Sequence, residues 1–94
     1  MQADTEFLET VELFKINIGI THCAKDEYFV SVILADKAEL EGQGVELDLS
    51  VVEDKILLAD YSAWNYRKRN DDIPLSANLK QRIQRRRTRR RAND

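Results

Sequence analysis

Val11-Glu-Leu-Phe-Lys-Ile-Asn-Ile-Gly-Ile20 is the stretch on which the fold turns. Its apolar residues Val11, Leu13, Phe14, Ile16, Ile18 and Ile20 recur at every second position, with one slip at Leu13–Phe14. Such alternation marks a half-buried strand, and the slip marks a β-bulge. Lys15, Asn17, Gly19 and Thr21 then fall on the wetter face. After the polar connection Cys23–Glu27 comes Tyr28–Ala35, rich in β-branched and aromatic residues, which pairs with the first run as an antiparallel hairpin. Phe29, Val32, Ile33 and Leu40 also fit a helical stripe, but the β-rich content favours strand for 28–34.

Upstream, residues 3–10 offer at most one acidic helical turn. Downstream, Glu41-Gly-Gln-Gly44 is a turn signal, because glycine supplies positive φ. Val45, Leu47 and Leu49 alternate with Glu46 and Asp48, a third strand with one acidic face. Ser50-Val-Val-Glu53 matches a helix capping box. Val52, Ile56, Ala59, Ala63 and Tyr66 follow at helical spacing to about residue 69, and Leu57, Tyr61 and Trp64 widen the apolar face. Pro74 ends this helix, and Ser76 is placed to cap another whose core-facing residues are Leu75, Leu79 and Ile83. The expected fold is α+β: a three-stranded antiparallel sheet with one packed amphipathic helix, followed by a basic, arginine-rich C-terminal helical arm. The expected organisation is an acidic body over 1–70, a linker over 71–76 and the arm over 77–94. Since nothing beyond Ile83 is apolar until Ala92, the body is expected to fold without residues 80–94.

Charge divides the chain more sharply than composition does. Residues 1–64 hold fourteen Asp or Glu against four Lys, net −10, whereas 65–94 hold eleven Lys or Arg against three Asp, net +8. The formal total of −2 hides that dipole. Eight of the thirteen residues from Leu79 to Arg91 are basic: Lys80, Arg82, Arg85, Arg86, Arg87, Arg89, Arg90 and Arg91. Guanidinium groups fork onto phosphates and stack on bases, which an ammonium does not, so a run with only one lysine points to nucleic acid. Like charges three and four residues apart disfavour the isolated helix, so the arm gains order from an anionic partner.

Gln81–Asn93 resembles, in composition, the arginine-rich motifs by which phage antiterminators and lentiviral regulators place a helix against folded RNA. The resemblance implies RNA rather than duplex DNA, since such segments fold on structured RNA. The leading expectation is a small non-enzymatic nucleic-acid-binding accessory protein, such as a ribonucleoprotein subunit or a viral or phage factor. Other readings of the arm stay open: an acidic protein partner, docking on this chain's own acidic body, a targeting address or a solvated tail. The second class of function is a protein-interaction module, antitoxin-like, inhibitor-like or a complex subunit. In it the carboxylates Glu39, Glu41, Glu46 and Asp48 meet a basic partner. A second copy of the chain is a further candidate partner, because a domain of this size buries only about 60 % of its unfolded surface.

Weaker signals add little. Tyr61, Trp64, Tyr66, Arg67, Lys68 and Arg69 interleave aromatics with cations, as base-stacking surfaces do. Core packing explains Tyr61 and Trp64 better, and Tyr66, near the helix end, is expected to be the exposed ring. Adjacent strand residues diverge, so His22 and Cys23 make no nucleophile–base pair. A single histidine and a single cysteine complete no zinc pattern. The sequence predicts no enzyme, no cofactor and no metal. No run nears the ~20 apolar residues that cross a bilayer and no secretion signal precedes the domain, so an intracellular protein without a membrane partner is expected.

Overall fold

The computed structural model describes residues 5–68 and 72–93, with side chains as far as Arg87. Four helices follow one another: α1 (Thr5–Ile18), α2 (Asp26–Gly42), α3 (Val52–Arg67) and α4 (Ala77–Asn93). No strand occurs among the described residues, which overturns the α+β expectation and its three-stranded antiparallel sheet. The expected first and second strands are α1 and α2.

The reason lies just upstream of the alternating run. Phe7, Val11, Phe14 and Ile18 are spaced four, three and four apart, a stripe that faces the core, with Phe14 fully buried and Ile18 partly so. Ile16, an inward member of the supposed strand, is 72 % exposed. In α2 the same spacing joins Phe29, Ile33, Asp36 and Leu40, all buried. A helix stripe therefore wins over a period-two run because it reaches further, upstream to Phe7 in α1 and downstream to Leu40 in α2.

Each of the first two helices stops at a left-handed glycine. Gly19 (φ 79°) ends α1, where the Ile20 N–H donates to Lys15 O (2.9 Å) and the Gly19 N–H to Ile16 O (3.2 Å). Gly44 (φ 90°) does the same after α2, with Val45 N–H on Leu40 O (3.0 Å) and Gly44 N–H on Glu41 O (3.1 Å). This paired six-to-one and five-to-two bonding satisfies carbonyls that a helix end otherwise leaves bare. Gly42, half of the sequence's turn signal, lies inside α2.

Residues 45–51 form an irregular strap. Val45 and Leu47 are buried as the alternation implies, but no neighbouring strand pairs with them. The strap is held instead by side chains: Asp48 N–H donates to Asp54 Oδ2 (2.9 Å), and Asp48 Oδ1 accepts from Ser50 N–H (3.0 Å) and Ser50 Oγ (2.6 Å). Those bonds hold Asp48 below the usual carboxylate range. They also engage the hydroxyl that the expected capping box assigned to α3, whose N-cap is Val51 with no side-chain bond. Ser76 does cap α4, accepting the Leu79 N–H at 3.1 Å.

α3 touches all three other helices, and its largest interface is with α1. Lys55 meets Glu9 near the start of both helices and Arg67 meets Asn17 near the end of both, so they run in the same direction. α2 runs the opposite way along α3, with Tyr61 against Glu39 and Asn65 against Asp36. Phe14, Phe29 and Tyr66 knot α1, α2 and α3 together edge to face, at centroid distances of 5.1 to 5.8 Å. Tyr66 is thus half-buried against the core, where the expectation was an exposed ring. Edge-to-face aromatic pairs add about 0.5–1.5 kcal/mol beyond area burial.

Candidate functional site

α4 carries the basic residues, and the structure divides them. Leu79 and Ile83 are 4 % and 5 % exposed and seat the helix on the body. The same face continues through Arg82, Arg86 and Arg87, at the three- and four-residue spacing of a buried stripe. Arg82 Nη2 meets Asp60 Oδ2 at 2.8 Å, and Arg86 Nη2 meets Asp54 Oδ1 at 2.5 Å. Arg87 donates from Nε to Gln43 O (3.2 Å) and from Nη2 to Gln43 Oε1 (2.5 Å). α4 therefore lies antiparallel to α3, stitched by two aspartates of that helix and by the end of α2. Lys80 and Arg85 are exposed. The side chains of Arg89, Arg90 and Arg91, and all of Arg69, lie outside the described residues.

Asp54 is the most buried charge of this interface, with its side chain 1 % exposed. Its two oxygens serve different segments, Oδ2 the strap and Oδ1 the arm. A buried carboxylate is tolerable only when paired and hydrogen-bonded, so Arg86 and Asp54 require each other. The arm is thus held past Ile83 by charge rather than by apolar surface. Neutralised cations on one face also relieve the like-charge repulsion expected of the free helix.

Self-docking therefore uses Asp54, Asp60 and Gln43, not the four carboxylates that the sequence brought together as a face. Glu39 accepts from Tyr61 Oη at 3.0 Å, Glu41 pairs with Lys37 at 2.9 Å, and Asp48 takes the Ser50 bonds. Glu46 is exposed in the strap. Without a strand these side chains share no pleated face. The second basic group is split likewise: Arg67 Nη2 donates to Asn17 O at 2.5 Å, and Lys68 Nζ sits 4.4 Å above the Trp64 ring.

Three grooves border α4. One, between Glu53, Ile56 and Arg85, and another, between Asp60, Arg67 and Pro74, each enclose about 350 Å3. The largest, about 650 Å3, opens between α4, α3 and the end of α2. Tyr61 and Trp64 form its inner wall, with ring centroids 5.6 Å apart. Both rings are fixed at their polar ends, Tyr61 by Glu39 and Trp64 by donation from Nε1 to Ile73 O (2.9 Å). Burial, and then the Glu39 carboxylate, push the Tyr61 phenol far above its usual range, so it remains a hydrogen-bond donor.

Lys15 is buried on α1 and bonds Asp26 at 2.8 Å, which raises its pKa. Asp36, between α2 and α3, is raised by burial against the opposing bonds from Ser62 and Asn65. His22 Nδ1 accepts the Ala24 N–H at 3.3 Å in the α1–α2 connection, and Cys23 is an exposed thiol. Among the described residues no helix is long and apolar enough to cross a membrane. Compared with family models, with curated proteins and with solved structures, the chain matches none.

Proposed function

We propose that this chain is a small non-enzymatic, intracellular nucleic-acid-binding protein in which a compact helical body presents an arginine-rich helix, with RNA favoured over DNA. The observation that carries this reading is the division of α4. Arg82, Arg86 and Arg87 anchor the helix while Lys80 and Arg85 stand exposed on it, and the backbone that carries Arg89, Arg90 and Arg91 stays helical to Asn93. An anchored helix loses less conformational entropy on binding than a free tail does. Arg67 and Lys68 add charge near the start of α4.

The test is fluorescence anisotropy with a structured RNA hairpin and a duplex DNA of equal length, over a series of salt concentrations. Five phosphate contacts give a slope of log affinity against log salt of about −3 to −5. Changing Arg85, Arg89, Arg90 and Arg91 together to Gln should flatten that slope without altering the helical circular dichroism. A slope near zero for the unaltered protein refutes the reading.

One observation favours a protein-interaction role as a second reading. Leu8 and Ile16 on α1, and Val52 and Ile56 on α3, are 38–72 % exposed, while Glu46 and Asp48 stay exposed in the strap. A complex subunit covers such side chains with a basic, partly apolar partner. Ile16→Ser together with Val52→Ser should leave nucleic-acid affinity intact and abolish a protein interaction.

A further inference from the structure

We infer that the 650 Å3 groove between α3 and α4 is a site for an unpaired nucleobase of a single-stranded RNA segment that runs along α4. This rests on the nucleic-acid reading and specifies where base recognition, as opposed to phosphate attraction, takes place.

Charge is the first argument. The first 64 residues carry net −10, yet no carboxylate lines this groove. Glu53 borders one of the smaller grooves along α4 and Asp60 the other. Lys80 and Arg87, on one side of α4, supply the cationic rim. Of the three grooves along the described part of this helix, the one without acidic groups is therefore the largest, which suits a ligand that brings its own phosphates.

The wall chemistry supplies the second argument. Tyr61 and Trp64 offer aromatic surface, and Leu75 and Ile83 complete an apolar floor. Because the Tyr61 hydroxyl and the Trp64 indole N–H are already bonded, the rings face a ligand as apolar surface held in place. Stacking on such surface accepts any base, since every base has a π-face. Gln81 and Gln84 line the rim, and Gln84 Oε1 already accepts from Arg87 Nη1 (3.3 Å), so reading a base edge falls to Gln81. A side-chain amide pairs a donor with an acceptor, the pattern a base edge presents, whereas a phosphate has no use for the acceptor. The volume lies within the ~300–1,000 Å3 of small-ligand sites.

Trp64 is the chain's single tryptophan and lines both this groove and the smaller one beside Asp60, so its fluorescence reports on the pair, and a change at Gln81, which lines the larger of the two and not the other, tells them apart. The experiment titrates the full-length protein with a short oligoadenylate and, separately, with inorganic polyphosphate. Binding is read by competition against a labelled RNA hairpin, and groove occupancy by Trp64 emission. Oligoadenylate should quench Trp64, and polyphosphate should bind without doing so. Gln81→Leu, a change on the exposed side of α4, should weaken oligoadenylate about fivefold and leave polyphosphate unchanged. If oligoadenylate binds with Trp64 emission unaltered, or if polyphosphate quenches equally, the groove proposal is wrong and the nucleic-acid reading stands. If neither oligoadenylate nor the hairpin binds at low salt, the nucleic-acid reading falls and the groove proposal with it.

Discussion

Replacing Arg86 by Met isolates the charge that holds α4 to the body. The side chain keeps most of its length, so the change removes the guanidinium and little packing. Arg86 is 16 % exposed and Asp54 1 %, and removing one partner of a buried pair costs ~3–5 kcal/mol. Asp54 keeps the Asp48 N–H and lies in the first turn of α3, where the helix dipole favours an anion. These two supports reduce the expected loss to about 2–3 kcal/mol. Asp54→Asn alone retains an oxygen for Asp48, and the freed arginine can extend to water, so it should cost about 1 kcal/mol. The double variant should lie near the Asn variant, giving a coupling of roughly 2 kcal/mol in a double-mutant cycle. Urea denaturation followed by circular dichroism measures all three. A loss below about 0.5 kcal/mol for Arg86→Met, or simple additivity, would mean that α4 is not anchored past Ile83.

Deleting residues 80–94 removes Ile83 and Arg86 together, a loss of about 4–6 kcal/mol that rivals the whole stability of a small domain. The truncated chain should melt broadly, and a sharp transition would restore the view of a self-sufficient body. Gly44→Ala should cost about 1 kcal/mol through its positive φ, since no atom lies within 4 Å of the added methyl. Gly42→Ala, inside α2, should be neutral or stabilising by up to ~1 kcal/mol, so equal losses in the two would refute the helix-stop assignment. Burial raises the Asp36 pKa, so the folded state holds that proton to higher pH than the unfolded chain does. Its contribution is present at low pH and lost as pH rises through the raised value. Asp36→Asn removes this dependence, so its stability relative to the native protein should improve as pH rises above the ordinary carboxylate range.

α3 and α4 could be read because their spacing is long and their punctuation local, as with Ser76 and Pro74. Even so, the start of the expected face is exposed at Val52 and Ile56, while Leu57, Ala59, Tyr61 and Ala63 are buried as expected and Leu58 joins them. A helix that meets three neighbours has no single apolar stripe. α1 and α2 misled for a different reason. Polar residues fill core positions on both, Thr10 bonding Glu6 O, Lys15 bonding Asp26 and Asp36 accepting from Asn65. Each stripe is interrupted where a partner from elsewhere satisfies the polar group, and sequence does not show that partner. What remained visible was a short run of isoleucines that imitates a strand. At the site, the number of arginines was plain but their sorting was not. Arg82 and Arg86 on one helix meet Asp60 and Asp54 on an antiparallel one, a match that exists only once the helices are placed.

The parallel pairing of α1 with α3 has a kinetic consequence. Lys55 and Glu9 are 46 residues apart in the chain, and Arg67 and Asn17 are 50 apart. Closing a loop of that length costs about 3.4 kcal/mol of chain entropy beyond the constant term, before any contact repays it. α2, α3 and α4 can zip as neighbouring antiparallel pairs, whereas α1 has only its smaller contact with α2, through Phe14 and Phe29, until α3 is made. During synthesis at ~5–20 residues per second, that interval lasts several seconds, until Tyr66 has emerged to receive Phe14.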